Sequence, residues 1–115
     1  MGDYYLVRVW QLRPGSTGAD LEALMTSGYL EMQRWIPGVK HISLIRASDD
    51  ARGRYVLTTA FASHEAYTYW RQVEEEAADY WERYAAIIMS WERMSFLLEE
   101  YAGEMVVDTS LSQSI

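Results

Sequence analysis

The sequence lacks several residue types on which common protein chemistries depend. It contains no cysteine, which excludes disulfides, thiolate nucleophiles and iron–sulfur ligation. Its only lysine is Lys40 and its formal net charge is −7, whereas nucleic-acid phosphates and anionic membrane surfaces attract clustered Lys and Arg. No apolar run approaches the about 20 residues of a spanning helix, and nothing resembles a signal peptide. We therefore expect a cytoplasmic protein with no nucleic-acid partner and no membrane partner.

Aromatic residues, by contrast, are plentiful. The 115 residues include five Trp and nine Tyr but only two Phe. Trp and Tyr combine an apolar body with a polar tip, so they favour interfaces and wet pockets over dry cores. Half of the chain is hydrophobic, which is ample for one core. We expect a single domain over residues 1–111, followed by a C-terminal tail at 112–115.

Local patterns predict alternating strands and helices. The first strand is apolar on both sides, with Val7 on one and Leu6, Arg8 and Trp10 on the other. Thr17 and Ser63 each precede a helical apolar pattern and offer a hydroxyl to its first free N–H groups. Gly28 interrupts the first helix, either to let another element pack close or because it is tolerated. The predicted strands are 3–13, 39–47, 54–62 and 104–111, and the first helix is 17–36.

The region after the third strand is a long helical stretch without glycine or proline, from Ser63 to Ala102. At about 1.5 Å per residue a continuous helix would outgrow a small domain. We therefore predict a break at the acidic run that starts with Glu74 and ends at Ala77, where three adjacent carboxylates repel one another. Gly103 is expected to end the second segment. An apolar stripe follows this stretch through Trp70, Val73, Ala77, Trp81, Tyr84, Ile88, Trp91, Met94 and Leu98.

The resulting order is strand, helix, strand, strand, helix, strand. This βαββαβ pattern is the ferredoxin-like α+β fold, a four-stranded antiparallel sheet with helices on one face and a second helix that is long and broken. Because the strands are apolar on both sides, the other face also needs a cover. A second copy of the chain is the simplest one, so we expect a homodimer.

Two sequence passages carry a resemblance to a known family. The Pro37-Gly38-Val39 turn into the second strand, the passage from Phe61 to Ala66 and the element order resemble the dimeric α+β barrel superfamily, in particular the antibiotic biosynthesis monooxygenase-like proteins. The resemblance implies two sheets paired into a barrel and a pocket between each sheet and its own helices. It also implies a range of activities, from cofactor-free oxygenation of aromatic polyketides to haem degradation, small decarboxylases and dehydratases, and members without an assigned activity.

The catalytic residues of that superfamily match this chain poorly. The resemblance implies, for haem degradation, an asparagine in the first strand, a tryptophan ending the third strand and a histidine on the second helix. The chain has no asparagine, its third strand ends in Phe61-Ala62, and the helix has only His64 at its start. We therefore set haem degradation aside. Polyketide oxygenases use Trp, Arg, Tyr and sometimes His, and those types are present without a position-by-position match.

Two polar residues in strands are candidate catalytic groups. Arg8 lies in a strand expected to be covered on both faces, where a guanidinium needs a partner. It either pairs with a carboxylate of the helices or of the other subunit, or holds the anion or carbonyl oxygen of a small ligand. His41 in the second strand either transfers a proton near neutral pH or is a structural or surface residue. We expect no metal site, because His64 is solvated and Glu74-Glu75-Glu76 reads as a solvated acidic face.

The aromatic residues are the strongest chemical feature. They form either the core and the dimer interface or a pocket wall that stacks flat ligands. The predicted ligand-binding residues are Trp10, Tyr67, Trp70, Trp81 and Tyr84.

Three hypotheses about function follow. The first is a monooxygenase-like enzyme without a cofactor that acts on an aromatic, polyketide-like molecule, with Arg8 and a Tyr or Trp stabilising an oxyanion. The second is a non-catalytic dimeric binding protein for a small aromatic or apolar ligand. The third is a structural dimer without a ligand.

Overall fold

The computed structural model describes residues 3–48 and 53–111, and these form the predicted βαββαβ order. The predicted first helix consists of two α-helices with a π-helical turn, Met25–Tyr29, between them, and the predicted second helix is two helices. The elements are β1 (Tyr4–Leu12), α1 (Gly18–Leu24), α2 (Leu30–Arg34), β2 (Val39–Arg46), β3 (Arg54–Phe61), α3 (His64–Glu76), α4 (Ala78–Met94) and β4 (Ser95–Glu104).

The four strands pair in the order β2-β3-β1-β4, and every pairing is antiparallel. Side chains alternate between the two faces of a strand. Leu6 and Leu57 point toward the helices, and both are buried in the main core. The fold class predicted from the sequence, ferredoxin-like α+β, is confirmed. Other core residues are Leu21, Met25, Tyr29, Met32, Ile36, Tyr55, Phe61, Trp70, Val73, Tyr80, Tyr84 and Trp91.

Both predicted hydroxyl caps are present. The Thr17 hydroxyl accepts a hydrogen bond from the Asp20 N–H at 3.2 Å, and the Ser63 hydroxyl accepts one from the Ala66 N–H at 3.0 Å. Each satisfies a backbone donor that has no partner inside the first turn of its helix. The two helix starts therefore follow from single residues.

The predicted break in the second helix falls where the acidic run ends. Ala77 has an extended conformation, with φ −79° and ψ 105°, and separates α3 from α4. The break removes the helical partner of the Glu74 carbonyl oxygen, and the indole N–H of Trp81 donates to that oxygen instead. Both helices contribute residues to the core, Trp70 and Val73 from α3 and Tyr84 and Trp91 from α4.

The prediction for the last strand was wrong. The structure ends α4 at Met94, and the chain runs at once into β4, so residues 105–111 have no regular structure and Gly103 pairs with Tyr5 inside the sheet. The apolar spacing from Trp91 to Leu98 suits a helix as well as a strand, and no glycine or proline marks the change. Pairing with β1 makes this segment a strand, and local sequence patterns carry no information about that long-range contact. The predicted tail at 112–115 lies outside the described residues.

Gly28 allows close packing between the first and second helical regions. A Cβ atom at this position would lie 3.0 Å from the Cδ1 atom of Ile87, which is closer than most real Cβ contacts. The π-helical turn can therefore press against α4. This places Tyr29, the next residue, against Trp91.

The face of the sheet away from the helices is partly apolar. Ile45 and Tyr101 are 57% and 56% exposed there, beside the half-buried Val7 and Val9. The homodimer expected to cover this face stays a prediction. None of the described helices combines the length and apolar character that a membrane crossing requires, and the cytoplasmic location likewise stays a prediction.

Candidate functional site

A cavity of about 290 Å³ lies between β1, the π-helical turn and the broken second helix. Its deep wall is aromatic and aliphatic, while Glu75, Trp81, Glu92 and Leu97 are exposed and form its mouth. The deeper lining residues are Arg8, Trp10, Tyr29, Met32, Arg71, Glu74, Ile87, Ile88 and Trp91. The structure thus contains the pocket between sheet and helices that the resemblance implies.

Three rings form the deep end of the cavity. Tyr29 lies against Trp91 with ring centroids 5.3 Å apart, and Trp10 meets Trp91 edge-on at 5.7 Å. Such tilted and edge-on contacts are favourable arrangements for aromatic pairs. Burial raises the pKa of Tyr29 well above its ordinary value, and the nearby Glu74 carboxylate raises it further although Arg8 opposes this. The phenol of Tyr29 therefore stays protonated and can donate a hydrogen bond.

One wall of the cavity carries two cations that share a carboxylate. The Arg8 Nε and the Arg71 Nη2 each donate to a different oxygen of Glu100 at 2.8 Å. Arg71 also donates to the Tyr67 hydroxyl at 2.9 Å, and the Arg8 guanidinium lies 5.3 Å from the Trp70 ring centroid. We call Arg8 and Arg71 the arginine pair. Because these two guanidinium groups share one carboxylate, the three side chains together carry one positive charge.

Electrostatics and burial both act on Glu100. Burial would raise the pKa of its carboxyl group, but hydrogen bonds from Arg71 and Arg8 outweigh burial and hold the pKa below its ordinary value. Arg8 has a side chain that is only 16% exposed. Both guanidinium groups are therefore held by Glu100 beside the cavity.

Glu74 differs from its neighbours in the acidic run. It is half-buried and lines the cavity, and its carboxylate accepts a hydrogen bond from the Tyr80 hydroxyl at 2.7 Å. The prediction of a solvated acidic face holds for Glu75 and Glu76, which are exposed, and was wrong for Glu74. Helical spacing contained the signal, because Glu74 falls on the apolar stripe four residues after Trp70. Burial and the Glu74 charge raise the pKa of Tyr80 above its ordinary value.

The structure gathers three of the sequence-predicted site residues, Arg8, Trp10 and Trp81, around the cavity. Trp70 is fully buried beside Arg8, and its indole N–H donates to the Gln33 side-chain oxygen at 2.6 Å. Tyr67 lies behind Arg71.

Two other predicted residues lie elsewhere. Tyr84 packs in the core against Tyr80, with ring centroids 5.4 Å apart. His41 is exposed and pairs with Ala60, which points away from the helices, whereas Arg8 pairs with Leu57, which points toward them. The sheet therefore separates His41 from Arg8, and no single site contains both.

Among the residues that line the cavity or hold its arginines, the sequence did not point to Tyr29, Arg71, Glu74 or Glu100 as site residues. Trp91 was placed in the aromatic stripe but not among the predicted ligand-binding residues. Trp91 belongs to the predicted stripe, and Arg71 follows Tyr67 by one helical turn, so helical spacing could have indicated both. Glu100 could not be found, because it was assigned to a helix rather than to the strand beside Arg8. Across residues 3–48 and 53–111, no group of three or more His, Asp or Glu is placed to bind a metal ion.

Comparison with known proteins supports the fold. No family model and no curated protein matches the sequence, but solved structures match its fold. SnoaB, a cofactor-independent oxygenase from Streptomyces nogalater, has a TM-score of 0.65 at 15% identity, over 98% of this chain and all of its own.

Two further structures are similar. HapK from Hahella chejuensis has a TM-score of 0.69 at 17% identity, over 96% of this chain and 99% of its own. A candidate antibiotic biosynthesis monooxygenase from Chloroflexus aurantiacus has a TM-score of 0.64 at 15% identity, over the same shares.

These likenesses show the fold of the chain. The chain has the ferredoxin-like α+β fold of the antibiotic biosynthesis monooxygenase-like proteins, as the sequence resemblance implied. Because all three identities are below 20%, the likeness establishes the fold and not the activity.

Proposed function

We propose that the protein is a cofactor-independent oxygenase-like enzyme that acts on a planar aromatic, polyketide-like molecule in the cavity. The observation that carries this proposal is the joining of a ring-lined deep end with the positively charged arginine pair in one cavity. A flat ring system can stack on Trp91 and Tyr29 while an oxygen at its edge meets Arg8 or Arg71. The similarity to SnoaB supports the reaction class.

The residues suit a reaction that begins with loss of a proton from a ring methylene. Glu100 is neutralised by two arginines and Glu75 and Glu92 are exposed, so Glu74 is the carboxylate that we assign as proton acceptor. The arginine pair would hold the negative charge that develops on the substrate oxygen. The methylene and dioxygen then give a ring carbonyl and water, and the substrate supplies all the electrons.

The experiment is turnover of anthrone under air by the purified protein, followed by quinone absorbance and by oxygen uptake. We expect one dioxygen consumed per anthrone, a rate above the spontaneous one, and no effect of added EDTA. An anaerobic sample should form no quinone. A rate equal to that of heat-denatured protein would refute the proposal and leave the binding-protein hypothesis, since that hypothesis needs the same cavity without turnover.

The homodimer is part of this proposal. The half-exposed Ile45 and Tyr101 on the face opposite the helices support a second copy as its cover. Light scattering on the eluted protein should give twice the chain mass of 13.4 kDa, and Ile45→Glu should lower that mass. A monomer at all concentrations would contradict the dimer without affecting the turnover test.

A further inference from the structure

Tyr29 lines the cavity, and its hydroxyl group has no hydrogen-bond partner in the described part of the chain. The residue is only 8% exposed. Two neighbouring tyrosines differ in this respect. The Tyr67 hydroxyl accepts a hydrogen bond from Arg71, and the Tyr80 hydroxyl donates one to the Glu74 carboxylate. An interior hydroxyl group usually has a partner, and one without it costs free energy unless water or a ligand supplies the partner.

The hydroxyl oxygen of Tyr29 keeps surface that a water-sized molecule can reach. Side-chain atoms that are fully enclosed and lack a partner include the indole nitrogens of Trp10 and Trp91 and the amide nitrogen of Gln33. The Tyr29 oxygen also lacks a partner but is not one of these enclosed atoms. Because the residue is more than nine-tenths buried and lines the cavity, we place its accessible hydroxyl at the cavity wall.

Packing fixes the position of the Tyr29 ring. The ring lies against Trp91 with centroids 5.3 Å apart and an angle of 31° between the planes. The preceding residue, Gly28, lies where a Cβ atom would press on the Ile87 side chain. Both residues belong to the π-helical turn Met25–Tyr29, and such turns within α-helices are frequent at functional sites. The hydroxyl is therefore positioned before any ligand binds, which lowers the entropy cost of binding one.

The charges of the cavity act on this hydroxyl without occupying it. Burial raises the pKa of Tyr29 well above its ordinary value, and the Glu74 carboxylate raises it further while Arg8 opposes this. Neither charged side chain forms a hydrogen bond with Tyr29. A ligand oxygen at this point of the wall would meet a neutral phenol donor, with the positive charge of Arg8 nearby.

We infer that the Tyr29 hydroxyl donates a hydrogen bond to an oxygen of the ring-bearing ligand, and so selects ligands with a carbonyl oxygen over hydrocarbons of the same shape. The inference deepens the proposed function and rests on it for the planar ring class. The arginine pair already donates to Glu100, whereas the Tyr29 donor is free. A site with a free interior donor rejects an analogue that lacks the acceptor, because binding that analogue leaves the donor unsatisfied.

The test compares two probes that differ by one carbonyl oxygen. Fluorene and 9-fluorenone are planar tricycles of similar size, and equilibrium dialysis without dioxygen prevents oxidation of fluorene. Wild-type protein should bind fluorenone about tenfold more tightly than fluorene. Tyr29→Phe removes only the hydroxyl and keeps the ring that contacts Trp91. It should reduce the affinity ratio several-fold and leave the affinity for fluorene unchanged.

Tyr84→Phe is the matched control. It removes a hydroxyl group from a tyrosine that is also buried, at 4% exposure, but that does not line the cavity. We expect it to leave both affinities and their ratio at the wild-type values. Thermal unfolding verifies that both variants fold, and Tyr29→Phe should keep the wild-type melting temperature because its hydroxyl has no partner within the described chain.

An infrared measurement reports the hydrogen bond directly. With fluorenone labelled with ¹³C at the carbonyl, the C=O stretching frequency should be lower in the wild-type complex than in the Tyr29→Phe complex. A purely structural role of the Tyr29 ring would not move this frequency, since phenylalanine keeps the ring. Tyr84→Phe should keep the wild-type value.

Several results would overturn the inference: equal affinity of the wild type for the two probes, no binding of either, or an unchanged ratio and frequency in Tyr29→Phe. The last would mean that the hydroxyl bonds only to water. Fluorenone has no C–H bond at its carbonyl carbon to lose, so the outcome is independent of turnover. Anthrone oxidation without fluorenone preference would refute the inference alone, and fluorenone preference without anthrone oxidation would refute the oxygenase proposal alone.

Discussion

Two clusters in this protein each hold a glutamate by hydrogen bonds from arginine, but their surroundings differ. Glu22 on α1 accepts two hydrogen bonds from Arg46 on β2, at 2.7 Å each, and a third from the Tyr55 hydroxyl on β3. Glu100 on β4 accepts one from each of two arginines. We call Glu22, Arg46 and Tyr55 the Glu22 cluster. The second cluster is the arginine pair together with Glu100.

The Glu22 cluster is electrically balanced and ties a helix to a hairpin. One cation and one anion meet in a fork geometry that uses both carboxylate oxygens. The arginine pair instead has two cations for one anion and lies beside a ring-lined cavity. The two clusters use similar residue types. They differ in their balance of charges and in the surface beside them, and these two properties distinguish a structural contact from a candidate binding wall.

The largest expected difference between the clusters is in activity. Arg8→Met removes one of the two donors assigned to the substrate oxygen, and we expect kcat/KM for anthrone to fall about 100-fold or more. Arg46→Met, the matched control in the Glu22 cluster, should leave kcat/KM unchanged. Equal losses in the two variants would mean that Arg8 acts through the fold rather than through the substrate.

Neutralising the shared glutamate should have a smaller effect on activity. Glu100→Gln leaves both cations in place but loosens their positions, so we expect kcat to fall about 10-fold with a smaller change in KM. Glu22→Gln is the control and should keep wild-type kinetics. A rise in activity in Glu100→Gln would show that the carboxylate competes with substrate for the arginines instead of positioning them.

In the Glu22 cluster the expected effect is on stability rather than on activity. Arg46→Met removes both hydrogen bonds of the fork that holds α1 to the hairpin, and we expect the melting temperature to fall by a few degrees. Because Arg46 is largely exposed, solvent screening keeps this effect modest. Circular dichroism on heating measures it. An unchanged melting temperature in Arg46→Met would contradict a structural role of the fork.

The smallest effect is the acid response of the Glu22 cluster. Hydrogen bonds from Arg46 and then Tyr55 lower the pKa of Glu22 to about 2 from 4.5. A pKa lowered on folding contributes stability that is complete above the unfolded value and is lost as pH falls through the folded value. The melting temperatures of wild type and Glu22→Gln should therefore differ most above about pH 5 and converge toward pH 2. A constant difference across this range would contradict the assigned linkage.

Local features of the sequence predicted a large part of this fold. The caps at Thr17 and Ser63 and the break at Ala77 each depend on interactions within a few residues. The strand order along the chain followed from apolar alternation, with β4 as the exception. Trp81 in the helical stripe and Trp10 in the first strand were predicted beside a pocket, because helical and strand periods place such residues on the inward face.

The rest depended on pairings between distant segments. Arg8 and Glu100 are 92 positions apart in the chain, and only the pairing of β4 with β1 brings them together. The same pairing decides that residues 95–104 are a strand, since their apolar spacing suits either structure. Strand register places His41 and Arg8 on opposite faces of the sheet. A search for polar residues in the sequence does not reveal that register.

The sequence by itself determined the order of elements, the helix starts and the break in the second helix, because short-range hydrogen bonds and side-chain periodicity decide these. Only the tertiary structure decided which strand closes the sheet and which arginines share Glu100. Each of these depends on groups far apart in the chain, whose contacts arise when the sheet register and the helix packing are set together.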